Sequence, residues 1–243
     1  MSHWQARTAL ILGEDALSRL ADTRVAVLGL GGVGGSAAEA LCRAGVGHLL
    51  LVDHDTVDET NLNRQLLATR EVLGEKKCLV AKRRLSAIHP EAEILAADQF
   101  YLPDNCNFLF DFKPDYVVDA IDTVTAKLHL AKTCWERGIP LIACLGTGNR
   151  LDPSKLTVGD IADTAGSGCP LARVLRREMK KQGVPRLRVV FSTEQPLPAQ
   201  VAVDSPSGRH SPGSSPFVPP AAGCLLASGV VRDCCQMDEN PQK

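Results

Sequence analysis

Arg24-Val-Ala-Val-Leu-Gly-Leu-Gly-Gly-Val-Gly-Gly-Ser36 decides how this chain is read. Its apolar start, Val25 to Leu28, predicts a buried strand, and Gly29-x-Gly31-x-x-Gly34 follows directly. Ser36-Ala-Ala-Glu-Ala-Leu-Cys-Arg-Ala44 then predicts a helix. Glycines between a strand and a helix let a phosphate approach the backbone, and the N–H groups at the helix start present partial positive charge to an anion. The stretch therefore predicts a nucleotide-phosphate site. Taken alone, its default reading is a dinucleotide site with NAD as ligand, and the rest of the chain decides between that and ATP.

Downstream, Gly45 supplies a helix stop, and His48-Leu-Leu-Leu-Val-Asp53 predicts a second buried strand ending in an acid. At that distance from the glycine loop, Asp53 is placed to accept ribose hydroxyls; the competing reading is a turn-forming Asp in Asp53-His-Asp55. Asp58 to Gln65 is polar and irregular, and Gly74-Glu-Lys-Lys77 opens a helix reaching Ile88. By itself this is a solvated loop and a basic helix start. Next to a glycine loop, Asn61, Arg64 and Lys77 are the donors that three linked phosphate anions require, whereas an NAD site has no need of them.

Glu93 to Ala97 predicts a third strand, and Asp115-Tyr-Val-Val-Asp-Ala-Ile-Asp122 a fourth, buried and ending in acid. Asp122 then stands at a strand's carboxyl edge, where a carboxylate can hold Mg²⁺ against phosphate oxygens, or else caps the next helix. That helix covers residues 126–137, and residues 139–145 form a fifth strand followed by Gly146-Thr-Gly148. Upstream, the apolar spacing of residues 7–22 predicts a helix or helical pair. The expectation is an α/β chain: a Rossmann-like, doubly wound, mostly parallel sheet with helices on both faces and a C-terminal extension. It is read as a single domain over residues 1–243, with a nucleotide-binding core at about 24–150 and a substrate or dimer region at about 151–235.

In that C-terminal region a helix is expected over Cys169 to Lys181 and a strand over Leu187 to Ser192. Between Arg173 and Arg188 there are seven Lys or Arg and one acid, Glu178. Such a run reads either as a solvated helix face or as a contact for RNA phosphates. Residues 194–220 carry seven of the 15 prolines and predict an extended crossover, ahead of an apolar helix over residues 217–231 whose small residues suit close packing. The tail from Asp238 reads as polar and frayed.

Composition excludes several classes. With 243 residues, 44% hydrophobic and a net charge of -1, the chain has no global basic field for nucleic acid. No apolar run approaches the length of a membrane span, and no signal core opens the chain, so a cytoplasmic protein is expected. The nine cysteines contain no Cys-x-x-Cys, so neither a zinc ribbon nor a redox pair is indicated. Cys169, Cys224, Cys234 and Cys235 are read as buried small hydrophobes or surface thiols in preference to nucleophiles.

These motifs, together with Leu51-Val-Asp-His-Asp-Thr-Val-Asp58, Thr60-Asn-Leu-Asn-Arg-Gln65, Val118-Asp-Ala-Ile-Asp122 and Phe191-Ser-Thr-Glu194, resemble the ATP-dependent adenylating superfamily of the ubiquitin-activating enzymes and the sulfur-carrier adenylyltransferases. Asp119-Ala-Ile-Asp122, Cys169-Pro-Leu-Ala-Arg173 and Phe191-Ser-Thr-Glu-Gln-Pro196 point to the branch that acts on tRNA. The resemblance implies ATP and Mg²⁺: Gly29, Gly31 and Gly34 on the phosphates, Asp53 on the ribose, Asn61, Arg64 and Lys77 on the triphosphate, and Asp122 on the metal. It implies a homodimer in which Arg7 reaches the partner's ATP site, a tRNA substrate, and a sulfur-transfer protein as a further partner. The implied reaction is cyclisation of a threonylcarbamoyl group on a tRNA adenosine through an acyl-adenylate, with Arg7, Arg64, Lys77 and Asp122 catalytic. The alternative is adenylation of a small sulfur-carrier protein's C-terminus, against which the missing zinc-binding cysteine pairs argue.

Overall fold

In a computed structural model of the chain, residues 3–198 and 212–237 are described. Residues 199–211 of the proline-rich crossover and all of the polar tail expected from Asp238 therefore lie outside the described residues. The helical pair upstream is α1 (Ala6–Leu12) and α2 (Glu14–Asp22), separated at Gly13. There follow β1 (Arg24–Leu28), α3 (Gly34–Ala44), β2 (His48–Val52), α4 (Lys77–Ile88) and β3 (Glu93–Ala97). The second half holds α5 (Asn107–Asp111), β4 (Tyr116–Asp119), α6 (Val124–Arg137), β5 (Leu141–Cys144), β6 (Leu156–Asp160), α7 (Pro170–Lys181), β7 (Arg188–Ser192) and α8 (Val218–Cys234).

The strands form one seven-stranded sheet in the order β3-β2-β1-β4-β5-β7-β6, parallel except where β6 pairs with β7. Each central strand is buried on both faces, as its near-continuous apolar run requires. Val25, Val27, Leu49 and Leu51 face a core shared with α2, α3, α4 and α8, whereas Ala26, Leu28, Leu50 and Val52 face one shared with α5 and α6. A third cluster seats Ala172, Leu175 and Met179 of α7 against Ala143, Val189 and Phe191. A fully buried leucine such as Leu175 contributes on the order of 2 kcal/mol by this burial. The apolar helix expected near the C-terminus packs its small residues on α3 and the sheet.

Two expectations need correction. The fourth strand ends at Asp119, so Asp122 lies in the turn beyond the sheet edge. The edge strand β6 is absent from the sequence reading because its residues are all half-exposed, without the alternation that marks a strand.

The path from β1 to β3 winds to one side of β1, and β4 returns to the other. This reversal opens a crevice at the carboxyl ends of β1 and β4, where doubly wound sheets bind ligands. Gly29 N–H donates to the Val52 carbonyl (2.8 Å) and Ala120 N–H to the Leu28 carbonyl (2.9 Å), so all three strand ends are fixed together there.

Candidate active site

The glycine loop forms the floor of the crevice. Gly29 has φ +83°, and a Cβ there would sit 2.7 Å from the Ala120 carbonyl oxygen. A Cβ on Gly34 would meet the Gly29 oxygen at 1.7 Å, so this glycine lets α3 close onto the strand end. Gly31 differs, since a Cβ would find nothing nearer than Gln65 Nε2 at 3.8 Å. The open space above Gly31 belongs to a cavity of about 350 Å³.

That cavity gathers the residues singled out in the sequence. Gly29, Gly31, Asp53, Asn61, Arg64, Lys77 and Asp122 all line it. Gly34, just behind this floor, does not itself line the cavity; it lets α3 pack against the strand end. Arg7 lies exposed on α1, a helix with no buried residue, and does not line its own chain's cavity.

Asp53 forms the local turn and also braces the glycine loop. Its Oδ2 accepts from Leu30 N–H (2.6 Å), pinning the glycine loop to β2, and its Oδ1 accepts from Asp55 N–H (2.8 Å), forming the local turn. Each oxygen keeps a further lone pair for a hydroxyl. Asn61 is buried because it organises its own loop: its Oδ1 accepts from Asp58 N–H (3.1 Å), while its amide nitrogen has only the Thr60 hydroxyl at 3.5 Å. Bonds from Thr60 hold the Asp58 carboxyl below the usual range. Arg64 spends Nη1 on the Thr60 carbonyl (2.9 Å) and Asn63 Oδ1 (2.8 Å), which braces its guanidinium at the rim. Lys77 opens α4 and reaches Asp55 at 2.9 Å, with its side chain 7% exposed against 52% for the partner. An incoming anion therefore finds the ammonium already desolvated.

Asp122 is exposed, and its Oδ1 accepts from the Thr123 hydroxyl at 3.4 Å. It does not cap α6, whose N-cap is Thr123. Asp122 is an accessible carboxylate on the wall of a phosphate-sized crevice that Asp53 and Asp55 also line, and it fits Mg²⁺, which keeps several waters and takes few protein ligands. Its position comes from a pair the sequence reading missed. Asp119 and Lys127, each 1% exposed, meet at 3.0 Å, and Asp119 Oδ1 also accepts from Ile121 N–H (3.0 Å). The pair ties the end of β4 to the second turn of α6 across the turn that carries Asp122. Both residues lie in the motif region, but only the fold shows that they pair.

His54, Gln99, Phe100 and Tyr101 complete the wall and were also missed: His54 lies in the Leu51–Asp58 motif but was given no role, and the residues after β3 bear no motif. His54 packs edge-on against Phe100 with 4.5 Å between ring centroids. None of the cysteines lines this cavity, and burial pushes the Cys134 and Cys144 thiols up to about 12. Arg150, past β5, is buried and donates to the Gly146 carbonyl (3.3 Å) and the Ser167 carbonyl (3.2 Å), joining two loops at the same sheet edge.

Backbone donors, an ordered arginine, a buried lysine and an open carboxylate around one crevice define a nucleotide-binding enzyme fold equipped for a polyphosphate rather than for NAD. The chain belongs to the ThiF family, which it matches over residues 4–228. It is 41% identical to the tRNA threonylcarbamoyladenosine dehydratase of Bacillus subtilis, over 96% of this chain and 95% of that protein. It is also 41% identical to the Escherichia coli enzyme of that name, over 79% of this chain and 75% of the relative. Among solved structures, the E. coli tRNA N6-threonylcarbamoyladenosine dehydratase in complex with AMP superposes with a TM-score of 0.87 at 34% identity, covering 98% of this chain and 97% of that one. The same enzyme in complex with ATP gives a TM-score of 0.86 at 33% identity, covering 100% and 99%.

Proposed function

We propose that this chain catalyses the ATP-dependent dehydration of N6-threonylcarbamoyladenosine in tRNA. The observation that carries the reading is the convergence of Asn61, Arg64, Lys77 and Asp122 on the glycine-loop cavity. The relatives' shared activity supports it. The threonylcarbamoyl carboxylate attacks the α-phosphorus of ATP, an acyl-adenylate forms, and pyrophosphate leaves. The ureido nitrogen of the same side chain then closes on the activated carbonyl and expels AMP. Closure is intramolecular, so the protein's task is orientation and charge neutralisation.

In this reading Gly29, Gly31 and Gly34, at the start of α3, receive the phosphates, and Asp53 the ribose hydroxyls. Asn61, Arg64 and Lys77 neutralise the triphosphate as charge moves onto the leaving pyrophosphate. Asp122 holds Mg²⁺, which when bound neutralises phosphate oxygens. Arg7 acts across a homodimer. Its support is that α1 is unburied and shows Leu10 and Ile11 at 87% and 79% exposure, an apolar face suited to a second copy. The whole chain works as one domain, a sulfur-transfer protein is a further partner, and the enzyme acts in the cytoplasm. Among the described residues no helix is long and apolar enough to cross a membrane. Sulfur-carrier adenylation is disfavoured by the absent Cys-x-x-Cys pairs and by lower similarity: the E. coli molybdopterin-synthase adenylyltransferase is 34% identical over 67% of this chain.

The test is incubation with ATP, Mg²⁺ and tRNA bearing threonylcarbamoyladenosine, followed by digestion and mass analysis of the nucleosides. Loss of one water from the modified adenosine is expected. An unchanged mass, with ATP bound, would sink the reading.

A further inference from the structure

The basic run in the C-terminal region is the largest sequence feature that the nucleotide site leaves unused. The fold sorts it into two classes. Ala172, Leu175 and Met179 turn inward on α7, while Arg173, Arg177, Lys180 and Lys181 are exposed. At i, i+4, i+7 and i+8 these four make one continuous stripe about 12 Å long. Arg176 is diverted inward to the Thr164 hydroxyl. The single acid, Glu178, is shared between Arg177 (2.8 Å) and Lys181 (3.0 Å), whereas Arg173 and Lys180 have no ion pair among the described residues. Beyond the helix, exposed Arg186 lies over the Trp135 ring, 5.9 Å from its centroid, so the contact holds its charge at the surface.

The direction of the stripe matters as much as its charge. Cys169, just ahead of α7, sits beside Gly146 after β5, and Arg150 bonds the neighbouring Ser167. The helix thus begins at the sheet edge that holds the nucleotide cavity. It ends where Leu187 N–H donates to Asp160 (3.2 Å), at the opposite edge. A large polyanion with one base delivered to the first edge has to cross the adjoining surface.

We infer that the outer face of α7, continued by Arg186, is the track on which the tRNA backbone lies while its modified adenosine occupies the active site. The inference rests on the proposed tRNA reaction. Charge complementarity selects RNA: four exposed cations share one face of α7 and a fifth, Arg186, lies beyond its end, with Glu178 the one acid in the run, in a chain whose net charge is -1. Phosphate contacts of this kind fix position without reading sequence, and they make affinity fall steeply with salt.

The test uses the full chain with Arg173→Gln, Arg177→Gln, Lys180→Gln and Lys181→Gln combined, a change confined to exposed positions. Binding of threonylcarbamoyladenosine-bearing tRNA is measured by filter retention across a salt series, alongside ATP affinity and thermal midpoint. The track predicts at least a tenfold loss of tRNA affinity and a log–log salt slope shallower by about three. KM for tRNA should rise while kcat at saturation, ATP affinity and the midpoint stay at wild-type values. Unchanged tRNA affinity and salt slope would overturn the track while leaving the reaction intact. Failure of the wild-type chain to bind or convert the tRNA would instead overturn the reading beneath it.

Discussion

The sheet has a cavity at each end, and the smaller one gathers the residues proposed to carry the chemistry. At the amino ends of β4, β5 and β7 lies a cleft of about 1090 Å³, three times the volume of the crevice above the glycine loop. Its central charges serve each other: Arg188 is paired with Asp233, whose Oδ2 also accepts from Tyr116 OH (2.7 Å). Burial, followed by this bond, raises the Tyr116 hydroxyl pKa well above its ordinary value. At the carboxyl end, by contrast, backbone donors converge on open space, and the Asp122 carboxylate has a lone hydroxyl neighbour. Parallel strands deliver their loops and helix starts to that end, so the fold concentrates donors there whatever the cavity's size. The contrast teaches that the gathering of donors and acids at one strand end, rather than volume, marks the proposed site.

Substitutions at the two ends should separate sharply. Arg64→Ala or Asp122→Asn is expected to cut kcat by a hundredfold or more, read as AMP release in the presence of modified tRNA. Tyr116→Phe, at the far end, should leave kcat within twofold and cost about 1 kcal/mol in urea unfolding. Equal losses of turnover at both ends would erase the distinction.

A second test separates positioning from stability within the catalytic end. Replacing the buried pair together, Asp119→Leu with Lys127→Met, removes two desolvated charges and should leave stability near wild type. If the pair aims the turn bearing Asp122, kcat should still fall about tenfold at unchanged ATP affinity. Wild-type turnover in a stably folded double variant would assign the pair to folding alone.

Much of this was legible in the chain because the informative groups are local. The strand-loop-helix unit around Gly29, and the acid after β2, are each fixed by near neighbours, so periodicity and glycine spacing reveal them. Asp119 and Lys127 were named only as letters of a motif and a helix start, because their partnership depends on how β4 meets α6. β6 escaped because a half-exposed edge strand lacks alternation. Gly34 was legible from the same spacing, but only the fold shows how closely the Gly29 carbonyl approaches it. The seven basic residues from Arg173 to Arg188 gave charge without direction, which only the burial of Ala172, Leu175 and Met179 supplies.

A smaller effect concerns the thiols. Cys134 borders the far cleft and Cys144 is wholly interior; burial raises both from an ordinary value of 9.0 to about 12. Unfolded chains lose these protons above pH 9 while the folded protein retains them, so stability is complete below pH 9 and declines as pH rises towards 12. The slope should be about 1.4 kcal/mol per pH unit for each such thiol, measured by denaturant titration. At pH 8, iodoacetamide should reach exposed Cys224 first, and turnover should survive its modification. Loss of turnover in step with Cys224 labelling would restore a cysteine to the mechanism.

The central claim is that the cavity over the glycine loop activates a carboxylate by attack on the α-phosphorus. The most direct measurement labels the threonylcarbamoyl carboxylate of the tRNA with ¹⁸O and follows the label by mass spectrometry after one turnover with ATP. Attack at the α-phosphorus followed by ring closure places one labelled oxygen in AMP. Label appearing in inorganic phosphate together with ADP, or in neither nucleotide nor phosphate, would contradict it.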